Sequence, residues 1–182
     1  MSCPPNRMPK YPHDRYIETK YLYIDSESRD SGDYPNPAEF SISLKDTSFQ
    51  SSRTIQNTLH VAIELKRLTV PGSEIPAGTK ELFVHIGSQN DKHTKMITTN
   101  NRDVNDAIFV IPINKVAIDG FYHLLDCGMT QRIRFKLDDY INFRVATRDG
   151  VTLPISDNIV SPDPTLQITA LIEIAPYSTT VH

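Results

Sequence analysis

Arg132-Ile-Arg-Phe-Lys-Leu137, then Asp138-Asp139, then Tyr140-Ile-Asn-Phe-Arg-Val-Ala146 is the stretch on which the fold reading turns. Ile133, Phe135 and Leu137 alternate with Arg132, Arg134 and Lys136. Beyond the two aspartates, Ile141, Phe143 and Val145 alternate with Asn142, Arg144 and Ala146. Successive side chains of an extended chain point to opposite sides, so a period of two marks a strand with one core face and one wetter face. Two such runs joined by two residues predict a hairpin at Asp138-Asp139, although Asp-Asp suits a type I′ turn less well than Asp-Gly.

The same alternation recurs on both sides of this stretch. Phe40, Ile42 and Leu44 alternate with Ser41, Ser43 and Lys45, and Leu166, Ile168, Ala170, Ile172 and Ile174 do so near the C-terminus. The run Leu59, Val61, Ile63, Leu65 changes phase to Leu68 and Val70. A one-residue slip inside a continuous run predicts a β-bulge near Lys66-Arg67. Segments 21–25, 81–87 and 107–114 also read as strands, the last apolar on both faces and therefore expected at the centre of a sheet. These make eight firm strands, and weaker candidates at 94–98, 121–126 and 151–155 raise the number to ten or eleven. Turn signals at Pro71-Gly72, Gly87-Ser88, Asp119-Gly120 and Asp149-Gly150 separate them. No window carries a 3.6-residue apolar stripe over three turns; short helical turns are expected only in loops such as 101–106.

A chain of 182 residues and 20.6 kDa fits one domain, or one domain with arms, and buries roughly two-thirds of its unfolded surface without a metal or disulfide. Long connections such as 45–57 and 156–165 disfavour an up-and-down barrel, whose hairpins are regular. The expectation is all-β: a single jelly roll, that is, a two-sheet antiparallel sandwich, over 21–176. Residues 1–20 hold Pro4, Pro5, Pro9 and Pro12 with Arg7, Lys10, Arg15 and Lys20 against Asp14 and Glu18. Proline removes donors and blocks helix, so this piece is expected as an extended N-terminal arm, and 177–182 as a C-terminal tail.

Charge is nearly balanced, 19 basic against 22 acidic residues, which argues against a strongly basic nucleic-acid footprint. Cys3 and Cys127 lie far apart without a CxxC neighbour and read as free thiols of a reducing compartment. The N-terminus lacks the apolar core of a signal peptide, and no run is long enough for a membrane span.

Motifs with chemistry are nearly absent. There is no phosphate loop, GxGxxG turn, GxSxG elbow or HExxH pair. The histidines form no HxH pair. His60 and His85 fall on the polar phase of their strands, where a solvated or hydrogen-bonded role is expected. His85 and His93 can meet across a hairpin, but no further ligands are specified. Asp25, Glu27, Asp30 and Asp33 recur at two- and three-residue spacing. Arg29 stands where a calcium loop needs a third ligand and the glycine is displaced to Gly32, so a solvated polar turn is the expectation over a calcium site. Arg132, Arg134 and Lys136 make the wet face of one strand, or a contact with an acidic neighbour or phosphate. No catalytic, cofactor-binding or metal-ligating set is therefore assigned, and no cofactor is expected.

One stretch is more specific than composition. Tyr23-Ile-Asp-Ser-Glu-Ser-Arg-Asp30, followed by Tyr34-Pro-Asn-Pro-Ala-Glu-Phe-Ser-Ile-Ser-Leu44, resembles a pattern of single jelly-roll penton and minor capsid proteins of large icosahedral double-stranded DNA viruses, the chlorovirus-like branch in particular. The end of the 63–71 run, Leu65-x-Arg67-Leu68-x-Val70-Pro71, is similar to their second strand. The likeness covers about residues 21–76. It implies a capsid structural protein of the virion, assembled in host cytoplasm: a penton at the fivefold vertices, or a minor capsid protein beneath the major shell. The implied partners are four further copies of itself and the major and minor capsid proteins, with no direct nucleic-acid contact, no membrane span and no enzymatic activity.

In physical terms, Tyr34-Pro-Asn-Pro fixes an extended, turning connection that sets the register of Phe40, Ile42 and Leu44. Arg29 and Asp30 pair either locally or across a subunit boundary, and the sequence leaves both open. Five copies round a vertex need a closed heterologous interface, with the arm 1–20 as a contact beyond the domain. The competing class is a jelly-roll carbohydrate-binding module. It needs exposed aromatic platforms, whereas this chain lacks Trp and concentrates Tyr in 11–34.

Overall fold

A computed structural model describes residues 19–43, 58–88, 101–104, 106–113, 118–125, 129–136 and 140–176. Nine strands lie in these residues: β1 (Lys20–Asp25), β2 (Glu39–Ser43), β3 (Thr58–Pro71), β4 (Glu81–Ser88), β5 (Phe109–Pro112), β6 (Phe121–Leu125), β7 (Thr130–Lys136), β8 (Tyr140–Ala146) and β9 (Thr169–Pro176). They form two antiparallel sheets. The first has the order β1-β9-β3, with β6 and β7 both on the far side of β3; the second has the order β2-β8-β4-β5.

β6 pairs with Arg67–Pro71 and β7 with Thr58–Glu64, so the two together act as one interrupted fourth strand. With that pairing each sheet has four positions. The chain passes from sheet to sheet at every connection except β4–β5 and the β6–β7 break, which is the jelly-roll winding. The fold is an all-β sandwich of this kind.

Inward residues of both sheets make the core: Leu22 and Ile24 of β1, Val61, Ile63, Leu65, Leu68 and Val70 of β3, and Ile172 and Ile174 of β9 face Phe40, Leu82, Val84, Ile86, Phe143 and Val145. Phe40 and Phe143, opposite each other in the β2–β8 register, pack with ring centroids 5.5 Å apart and tilted by 52°. Each fully buried aliphatic or aromatic side chain contributes about 1.5–3 kcal/mol against leaving it exposed.

The predicted bulge is present. In the β3–β9 ladder Leu65 pairs with Ile172 and Arg67 with Leu171, so Lys66 is the extra residue. Buried positions change accordingly from Val61, Ile63, Leu65 to Leu68, Val70. The Lys66 ammonium, half-buried, lies 2.7 Å from Glu64 and 3.3 Å from Glu173. At Asp119-Gly120 both residues have positive φ, 52° and 83°, and Ile118 and Phe121 exchange backbone hydrogen bonds, a two-residue type I′ turn.

Three expectations are corrected. The runs on either side of Asp138-Asp139 are not a hairpin: β7 belongs to the first sheet beside β3, and β8 to the second between β2 and β4. Periodicity reports that a run is extended, not which strand it pairs with. In segment 107–114 the strand is β5, which among the described residues stands at the edge of its sheet and not at the centre. Its outer face is apolar because a single-turn 3-10 helix, Arg102–Val104, covers it and packs Val104 and Ala107 against Phe83 and Val110.

Residues 151–155 make only an isolated bridge, Ala146 to Thr152, although Leu153 and Ile155 are buried. Pro154 has no N–H to continue a ladder. The candidate at 121–126 is β6, while 94–98, the arm as far as residue 18, the tail 177–182 and Leu44 lie outside the described residues. No helix among the described residues is long and apolar enough to cross a membrane.

Candidate functional site

The ladder registers place four connections at one end of the sandwich: 26–38, 72–80, 113–120 and 147–168. Asp25 lies opposite Thr169, Glu39 opposite Arg144, Glu81 opposite Pro112, and Pro71 opposite Phe121. The Tyr23–Ser43 stretch supplies the first of these connections, and its local structure follows from its residues. The Asp25 carboxylate accepts from the Glu27 N–H at 3.0 Å and caps a 3-10 turn over Ser26–Ser28. Asp30 accepts from the N–H groups of Gly32 and Asp33, an Asx turn. Asn36 accepts from the Ala38 N–H and donates to the Leu153 carbonyl, tying this connection to 147–168.

Arg29 is the residue these turns deliver inward. Its Nε donates to Tyr34 O, Nη1 to Ser26 O and to Gln167 Oε1, and Nη2 to Pro35 O and to Asp157 Oδ2. A guanidinium has five N–H donors, and here all five are used. Asp157 is equally full: Oδ2 accepts from Arg29 and Gln167 Nε2, and Oδ1 from the N–H groups of Asn158 and Asp163. Gln167 completes the set through Ser26 Oγ and the Asp163 carbonyl, and Ser26 Oγ accepts from the Ile168 N–H. Burial works to raise the Asp157 pKa, but the hydrogen bonds from Asp163, Arg29, Gln167 and Asn158 outweigh it and hold the carboxyl at about 2. Arg29 therefore pairs within its own chain and with Asp157, not Asp30. No donor or acceptor of this cluster is left to take a ligand.

A second polar cluster lies on the outer face of the second sheet. His85 of β4, opposite Arg144 of β8 in the ladder, is buried. Its Nδ1 is 3.0 Å from Asp106 Oδ1, and Arg144 Nη2 lies 3.0 Å from Nδ1, 3.2 Å from Nε2 and 3.3 Å from Asp106 Oδ2. The ring nitrogens thus stand between a carboxylate that accepts and a guanidinium that donates. Burial, with the Arg144 charge added and the Asp106 carboxylate opposing, pushes the His85 pKa down to about 4. The expected hydrogen-bonded role is met, in a buried setting. His93 and the side chain of His60 lie outside the described residues, as do the side chains of Arg132, Arg134 and Lys136.

The acidic stretch is a polar turn. Asp25 and Asp30 cap backbone N–H groups, and Glu27 and Asp33 are exposed. Among the described residues no group of three His, Cys, Asp or Glu stands at metal-binding spacing.

Two surfaces remain open. A groove of about 480 Å³ runs between β1 and β2, lined among others by Tyr23, Asp25, Asp30, Phe40, Ile42 and Tyr140. Tyr23 and Tyr140 are 53% and 50% exposed. At the loop end, Ile118, Val151, Ile159 and Val160 stand out into solvent, Val160 at 93%. Neither surface was legible in the sequence, since each is assembled from segments more than a hundred residues apart or from irregular connections. Searches against known protein families and against curated proteins return no match.

Proposed function

We propose that this chain is a capsid structural protein that works through subunit contacts, placed at the fivefold vertex of an icosahedral shell as a penton. The observation that carries the reading is the loop end of the sandwich. Ile118, Val151, Ile159 and Val160 come from two separate connections there, and several exposed aliphatic side chains at one end of a domain agree with a surface that meets protein. The single jelly-roll winding and the 23–44 stretch agree with it. That stretch ties the connections 26–38 and 147–168 together through Arg29 and Asp157. The Arg29–Asp157 cluster is buried and fully hydrogen-bonded, and the His85–Asp106–Arg144 cluster is hydrogen-bonded within itself, which supports contact as the function proposed.

Native mass spectrometry and electron microscopy of the purified chain test this. Particles of five 20.6 kDa copies, and matching density at virion vertices, are expected. A strict monomer that is absent from virions overturns it; density beneath the major shell moves the protein to the minor capsid position. A carbohydrate-binding module is the second reading, favoured by the exposed rings of Tyr23 and Tyr140 on one groove. Binding on a glycan array that Tyr140→Ala abolishes would establish it.

A further inference from the structure

We infer that the groove between β1 and β2 receives the proline-rich N-terminal segment, residues 3–12, of a neighbouring copy of this chain; this rests on the assembly reading above. The groove is suited to an extended chain. Among the described residues β1 pairs only with β9 and β2 only with β8, so each is the outermost described strand of its sheet. Tyr23 and Tyr140 add half-exposed rings with hydroxyl donors, over Phe40 and Ile42. Tyr140 stands opposite Ser43 at one end, and Asp30 lies at the other, beyond the end of β1.

The occupant has the matching chemistry. Cys3-Pro-Pro-Asn-Arg-Met-Pro-Lys-Tyr-Pro12 carries four prolines, which favour a polyproline II chain that leaves its carbonyls free. Such chains bind in grooves lined by aromatic rings at little entropic cost. Arg7 and Lys10 are its charges, with no acidic residue before Asp14, and Asp25 and Asp30 face them in the groove. This pairing sets the direction: Cys3 at the Tyr140 end, Arg7 and Lys10 toward Asp30.

Reach lets the segment come from a neighbour. Pro12 and Pro4 precede Lys20 by eight and sixteen residues, which extended span about 26 and 53 Å. The chain's own groove begins at Tyr23, about 10 Å from Lys20, and with the direction above the segment fills it only by doubling back along β1, so the assembly reading assigns the segment to a neighbour. A folded chain of this length is roughly 40 Å across, so the same groove on an adjoining copy lies within the span.

Cys3 makes the test direct. In the full chain with Cys127→Ser, Tyr140→Cys is introduced, the protein is oxidised mildly, and disulfides are mapped by mass spectrometry on unreduced samples. Links between chains from Cys3 to position 140 are expected, several-fold more abundant than in a Leu125→Cys control at an equally exposed position, and reduced in about 0.5 M salt. Ser43→Cys, at the same end of the groove, serves if Tyr140→Cys does not fold. A link within one chain, or none beyond the control, overturns the inference. Oligomers of the unsubstituted chain, weighed separately, keep the two readings apart. Association without the link removes this inference alone, and no association removes both.

Discussion

Arg29 and Asp157, 128 residues apart in sequence, meet at 2.8 Å with neither side chain exposed to solvent. The pair joins the connection before β2 to the connection before β9, and every remaining hydrogen-bonding site on both groups is taken by Ser26, Tyr34, Pro35, Asn158, Asp163 or Gln167. Removing one partner leaves a charge buried without its counterion, which costs far more than the net stability of the intact pair.

Arg29→Met should accordingly destabilise the fold by about 3–5 kcal/mol, read as a lower urea midpoint. In the double variant with Asp157→Asn the loss should be less than the sum of the single losses, because the buried carboxylate is no longer charged. Additive losses would show that the two side chains do not act as a pair.

Stability should fall on the acid side in two windows. His85 has its folded pKa depressed to about 4 from 6.5, so the unfolded chain binds the proton first. Its contribution is complete above pH 6.5 and disappears as pH falls to 4. At about 1.4 kcal/mol per unit this amounts to roughly 3 kcal/mol. Asp157, depressed to about 2 from 3.8, adds a contribution present above pH 3.8 and lost toward pH 2. Urea unfolding from pH 7.5 to 4 should show the first slope in the unsubstituted chain and little of it in His85→Gln.

Gly150 and Gly78 separate backbone conformation from crowding. Both have positive φ, 71° and 85°, but a Cβ at 150 would lie 2.5 Å from the Asp103 carbonyl oxygen, whereas at 78 it meets open space. Gly78→Ala should cost about 1 kcal/mol, from conformation alone. Gly150→Ala should cost about 2–4 kcal/mol and displace the Arg102–Val104 turn, visible as faster hydrogen exchange at Ala107 and Ile108.

Phe143→Ala should cost about 3–5 kcal/mol, since the ring is fully buried against Phe40. Tyr21→Ala, on the exposed face of β1, should change stability by less than about 0.5 kcal/mol. Thermal unfolding of the two variants checks the assignment of faces.

Alternation of side chains was enough to locate most strands, because one face of each sheet is buried and the other wetter. It even exposed the bulge, since Lys66 is the one residue by which the β3 pattern slips. It was silent on pairing: Phe135 and Ile141 belong to neighbouring runs but to different sheets, and no local property of the 137–139 connection records that. It misplaced β5 because Val110 looks outward onto Val104, so apolar residues on both faces meant a covered edge and not a central strand. The polar clusters were hidden for a related reason. Arg29 carried the resemblance, but its partner lies in a connection whose Asp, Asn and Pro residues read as ordinary loop. His85 was placed correctly on the outer phase of β4, yet nothing local revealed that Asp106 would close over it.

The β1–β9 ladder has a mechanical consequence. Lys20 at the start of β1 stands opposite Ile174, two residues before the end of β9. The first residue of β1 and the last residues of β9 therefore share one corner, and tension drawing these two points apart acts across the rungs, not along them. The bonds between the strands would open one after another from Ile174 toward Thr169, as in a zip. A handle on either side of the domain loads its weakest direction first.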